Sequence, residues 1–206
     1  MPVTIELMGD RGSGYIGTVF KPQQGDAPRW DGMAQMFLDA PLPNPPEGFG
    51  AKPVDSFHER AVEPYFGLAT REYVLLDGSE QLPVRPLTLG GPFPTSRSGF
   101  YKVIAFYPSR PDMDDEQEHN RWLSQQAERT VRAMQRAHGF RYVLSLAMDP
   151  AAEPYACIEE LYFPDRSAWQ RFIASVRAEG GAYSALQSTA QVFFADTEFV
   201  AIPLQE

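Results

Sequence analysis

The chain has one cysteine, Cys157, and three histidines in 206 residues. A single thiol excludes an intrachain disulfide and suits a reducing cytoplasm, the expected location. Cys157 lies inside an apolar run and reads as a small buried hydrophobe. No Cys/His/Asp cluster has metal-ligand spacing, so neither a metal nor another cofactor is expected. Basic residues are also scarce: 18 Lys and Arg against 27 Asp and Glu leave a net charge of −9. Nucleic acid and anionic membrane surfaces both call for clustered Lys or Arg, so neither is an expected partner. No apolar run approaches the roughly 20 residues of a membrane span. MPVTIELMGD has no basic n-region or apolar h-region and does not read as a signal peptide. GDRGSGYIG lacks the Walker Lys-Ser/Thr, and no G-x-S-x-G elbow stands between a strand and a helix. Nucleotide and hydrolase-triad chemistry therefore find no support.

What is present is a pattern. Tyr101–Pro108 (YKVIAFYP) is an apolar run closed by Pro108 and Pro111, and it reads as a buried strand. The stretch from Arg110 to Phe140 reads as a helix. Asp112 or Asp114 can cap it, Trp122, Leu123, Ala127, Val131 and Met134 form its apolar stripe, and Gly139 suits the C′ position. RYVLSLAMDP and YACIEELYFP read as a hairpin. A second helix follows at Asp165–Gly181, capped by Asp165 or Ser167 and buried through Trp169, Phe172, Ile173 and Val176. DTEFVAIPL reads as the last strand. The order is βαββαβ, that of a ferredoxin-like α+β fold.

Residues 1–86 are read as a separate α+β half, 87–100 as a Pro/Gly-rich linker and 101–206 as the ferredoxin-like domain. In the first half, VTIELMG and YIGTVFKP flank the turn GDRGSG as a hairpin. PRWDGMAQMFLDA reads as a short helix with Trp30, Met33, Ala34, Phe37 and Leu38 on its apolar face, and ATREYVLLDG reads as a strand. Laid on the last four elements of the second half, this order reads as a degenerate ferredoxin-like copy. An independent α/β module is the alternative.

The second half resembles the EthD family of the dimeric α/β-barrel superfamily. The resemblance rests on YKVIAFYPSRPDM, on RWLSQQA at Arg121–Ala127 and on EELYFPDRSAWQRFIAS at Glu159–Ser175. The family's first helix typically carries Y-W-x-x-x-H-A, and its second hairpin strand ends in E-L-x-F. Here Trp122 and Ala127 fit the first motif and Glu160-Leu161-Tyr162-Phe163 the second, but Gln126 stands where the family has His. An amide does not titrate, so proton transfer at that position is lost while hydrogen bonding is kept. The resemblance implies two units paired sheet to sheet, as a homodimer, the expected state, or as a pseudo-dimer within one chain if the first half is a true repeat. Activities across the superfamily range from cofactor-free oxygenation and polyketide cyclisation to heme chemistry and ligand binding, so fold alone does not choose among them.

The resemblance and the residues together point to binding, or cofactor-free transformation, of a small hydrophobic metabolite in a secondary or degradative pathway. The alternative is a non-catalytic barrel that serves assembly. His119, one turn before Trp122, is the titratable substitute for the missing His, and His119 and Glu160 are the candidate catalytic pair. Trp122, Gln126, Tyr107 and Tyr142 are the candidate ligand-binding residues. Glu159 and Glu160 are adjacent in a strand and should point to opposite faces. His138 is expected at the first helix's C-terminus and His58 at the surface.

Overall fold

A computed structural model describes residues 12–22, 30–38, 67–82, 96–109, 123–124, 127–178 and 190–202. The fold is α+β. The strands are β1 (Gly12–Val19), β2 (Gly32–Leu38), β3 (Thr70–Leu76), β4 (Ser96–Arg97), β5 (Tyr101–Pro108), β6 (Arg141–Ala147), β7 (Tyr155–Phe163), β8 (Gln191–Ala195) and β9 (Thr197–Ile202). The helices are α1 (Ala127–Arg136) and α2 (Arg166–Ala178). One antiparallel sheet has the order β3-β6-β7-β5-β8, the other β2-β1-β9-β4.

The five-stranded sheet is covered on both faces, which is why β5, β6 and β7 are nearly continuous buried runs. On one face lie the helices. Ala127, Ala133 and Met134 of α1 and Ala168, Phe172 and Val176 of α2 pack on Val103, Leu161 and Phe163. Phe172 is fully buried, meets the Phe163 ring at a tilt and stacks on Trp169; burying one such ring contributes about 1.5–3 kcal/mol. Asp165 caps α2, its Oδ1 accepting from the Ala168 amide at 2.8 Å. On the other face, Ile104, Phe106, Ile158 and Phe193 meet Phe20, Trp30 and Met33. Phe20 stacks on Phe193 with centroids 4.6 Å apart. The four-stranded sheet of the same chain thus lies against the face that the helices leave open.

The order β5-α1-β6-β7-α2-β8 follows the sequence reading, although α1 is described only over Ala127–Arg136 and its expected caps, Asp112 and Asp114, lie outside the described residues. Three expectations change. The segment read as a helix over 28–40 contains strand β2, which pairs with β1 from Val19↔Gly32 to Gly12↔Leu38. Its Met, Ala and Gln favour helices, but a short apolar run does not separate helix from strand by spacing, and the ladder with β1 decides it. Gly32 fits this ladder closely: a Cβ there would lie 2.5 Å from the Thr18 carbonyl oxygen. Since β2 occupies the position matched to helix α2, the degenerate-copy reading fails at that element.

Next, the expected turn residues Gly12, Ser13 and Gly14 belong to β1, with a register shift between Gly12 and Gly14. Glycines in a strand mark such a bulge as readily as a turn. VTIELMG lies outside the described residues. Finally, the expected last strand is two strands. Gln191–Ala195 pairs with β5, the chain changes sheet at Asp196, and Thr197–Ile202 pairs with β1 and β4. β4 itself falls within the stretch read as a linker.

Candidate functional site between the two sheets

Alternation along β5 sends Val103, Ala105 and Tyr107 toward the helices and Lys102, Ile104 and Phe106 toward the second sheet. Lys102 is therefore a lysine at a core position, with no exposed surface. Its Nζ contacts Glu160 Oε2 at 2.5 Å, Glu198 Oε1, and Thr18 Oγ1 at 3.2 Å. It also lies 4.8 Å from the centroid of the Tyr162 ring. The Tyr162 hydroxyl donates to Glu198 Oε1 at 2.7 Å, and Thr18 donates to the same oxygen at 3.2 Å. From β2, Gln35 Nε2 donates to Glu160 Oε1 at 2.6 Å. Strands of both sheets thus meet at one buried polar cluster.

Two buried carboxylates share one ammonium. Burial works against the charge of Lys102, and Glu160 and Glu198 overcome it, holding the ammonium well above the ordinary lysine range. Burial also raises the Tyr162 phenol well above its usual value, against the pull of Lys102. Charged groups this deep are retained only when paired and hydrogen-bonded.

The cluster opens on one side into a cavity of about 70 Å³. Gln35, Glu72, Arg141, Glu160 and Tyr162 supply its polar wall; Ile16, Phe37 and Val143 supply apolar wall. Glu72, on edge strand β3, has its pKa raised to about 7 by burial first and by the Glu160 charge second, with Arg141 and Lys102 pulling back. Arg141 Nη1 donates to Asp77 Oδ1 at 2.6 Å. A carboxyl titrating near neutrality in a cleft can hold a proton or give one up at working pH. A larger depression beside Lys21, Tyr101 and Asp165 is open to solvent, and its Lys21 is already paired with Asp196 at 2.5 Å.

The expected site residues separate onto two faces. Glu159 and Glu160 do point to opposite faces. Glu160 enters the inter-sheet cluster, paired to a strand lysine. Glu159 faces the helices, where it accepts from the Tyr107 and Tyr142 hydroxyls at 2.6 and 2.5 Å. Tyr107 and Tyr142 are fully enclosed and belong with Glu159, not with Glu160. Cys157 is on that face too, free and buried, its thiol raised by burial and then by Glu159. His119, Trp122 and Gln126 lie outside the described residues, as does His58. His138 ends α1 in the left-handed region at φ 64°.

Sequence reasoning missed Lys102, Glu198, Gln35, Glu72, Arg141 and Thr18. One signal was available: Lys102 stands within an aromatic strand at the parity of Ile104 and Phe106. A buried lysine demands a carboxylate, but nothing in the sequence names Glu198, 96 residues away.

Among the described residues, no group of three or more His, Cys, Asp or Glu is placed to hold a metal ion, and no helix is long and apolar enough to cross a membrane. No protein-family model and no curated protein matches the chain.

Proposed function

We propose that this chain is an EthD-like small-molecule protein that binds a hydrophobic metabolite, or carries it through a cofactor-free step, in the cleft between its two sheets. The observation that carries the reading is Glu72, a carboxyl with a pKa of about 7, lining a cavity with Glu160, Gln35 and Arg141. Glu72 is the proton-transfer group of this proposal, the role first given to His119. Glu160, fixed by Lys102 and Gln35, supplies a held negative charge beside it. The cavity is well below the roughly 300 Å³ of a drug-sized site, so one substituent of the ligand enters and the rest lies toward the mouth.

Strand order β6-β7-β5-β8 with two crossover helices supports a ferredoxin-like unit. The sheet-to-sheet pairing that the resemblance implies is met within one chain, by an unlike sheet rather than a second ferredoxin-like copy, because the chain's own β1, β2 and β9 cover the open face of the five-stranded sheet.

The second reading is a non-catalytic assembly module. It is favoured by the helix-side face, where Tyr107, Tyr142 and Glu159 satisfy one another in a filled core. Native mass spectrometry of the protein after exposure to a metabolite extract separates the two. The first reading expects a retained small molecule on the natural chain and none on Val143→Phe, which fills the cleft. No retained molecule on either chain would favour assembly.

A further inference from the structure

We infer that the inter-sheet cleft takes the protonated amino group of a small alkylamine, with the Glu72 and Glu160 carboxyls as its acceptors and Ile16, Phe37 and Val143 against its carbon stem. This rests on the cleft being a ligand site and names the class of ligand.

The first argument is charge. Among the described residues lining or bordering the cleft, the Glu72, Glu160 and Asp77 carboxyls face the cations Lys102 and Arg141. Lys102 is divided between Glu160 and Glu198, and Arg141 is tied to Asp77. Glu72 feels both cations at a distance but has neither as its own. A ligand cation supplies the missing countercharge.

The second argument is hydrogen bonding. Among the described residues, burial and neighbouring charge shift Glu72, and no hydrogen-bond donor holds its ionised form. An ionised carboxylate only accepts, and a primary ammonium only donates, with three N–H groups. An alcohol or amide would complete the hydrogen bonding but leave the partly desolvated charge of Glu72 uncompensated.

The third argument is size. The cavity of about 70 Å³ is the size of a few waters. An ammonium with a short methylene stem is of that size, and bulkier groups would lie toward the mouth. Apolar walls beside the two carboxyls match a stem beside a charged head.

Binding a cation favours the ionised form of Glu72, so a proton leaves as the amine enters. Affinity should therefore rise with pH as Glu72 ionises, while the amine itself stays protonated.

The test is an NMR titration of the full chain at pH 8 with propylammonium chloride and, separately, propan-1-ol, followed at the Gln35 side-chain amide and the Val143 methyls. The expected result is a saturable shift with propylammonium, stronger than with propanol and weakened about tenfold in Glu72→Gln, the loss of one charge-assisted hydrogen bond. The amide spectrum of Glu72→Gln checks that the variant is folded. Propanol binding as tightly as propylammonium, or Glu72→Gln binding propylammonium unchanged, overturns the amine class while keeping the cleft as a ligand site. Neither probe shifting the cleft overturns both.

Discussion

At the scale of residues, Glu72 and Lys102 carry the account with opposite effects on stability. Folding moves Glu72 from 4.5 to about 7. Below pH 4.5 both the folded and the unfolded chain hold the proton, and the residue is neutral to stability. Between pH 4.5 and 7 the unfolded chain loses its proton first, and the folded state is progressively penalised; above pH 7 the penalty is complete. Glu72→Gln should therefore stabilise the protein by about 2–3 kcal/mol at pH 8 and have little effect at pH 4. Urea unfolding at the two pH values checks this. Lys102 works the other way. Lys102→Met leaves Glu160 and Glu198 buried without their ammonium, and should cost about 3–5 kcal/mol in the same assay. Converting all three, Lys102→Met with Glu160→Gln and Glu198→Gln, should recover most of that loss. The opposite facing of Glu159 and Glu160 was legible from strand period alone. The partners of Glu160 were not, because Lys102, Gln35 and the pull on Glu72 come from three strands distant in sequence.

At the scale of elements, the end of α1 shows how close a sequence reading can come and still miss by one residue. Gly139 was placed at C′, yet the left-handed residue is His138. The His138 amide donates to the Gln135 carbonyl at 3.2 Å and the Gly139 amide to the Met134 carbonyl at 2.7 Å, the two bonds of a Schellman motif. Gly139 is required for space: a Cβ there would meet Met134 Cε at 2.7 Å and a Phe163 ring carbon at 3.0 Å. His138→Gly should relieve the positive φ and raise stability by about 1 kcal/mol, read from the shift in melting temperature. Unchanged or lower stability would mean that the imidazole contributes more at the helix terminus than its backbone strain costs. The helices and the β6–β7 hairpin were legible because long apolar stripes and proline stops leave little ambiguity. β2 was not, because seven residues of mixed propensity take their form from β1.

At the scale of the whole molecule, each sheet draws strands from both ends of the chain. β3 extends the sheet built mainly from residues after 100, and β9 completes the sheet begun by β1 and β2. No local pattern encodes such an exchange; it depends on the sheet switch at Asp196, where Lys21 and Thr197 hold the carboxyl below its usual range. The exchange brings Gln35, Glu72, Glu160 and Glu198 to one place, so the site is a product of the complete fold. The most direct measurement is a ¹³C NMR titration of the Glu72 side-chain carboxyl in the intact protein. The account predicts a midpoint near 7 that falls when Glu160 is changed to Gln. A midpoint at the ordinary 4.5, unmoved by that substitution, would contradict it.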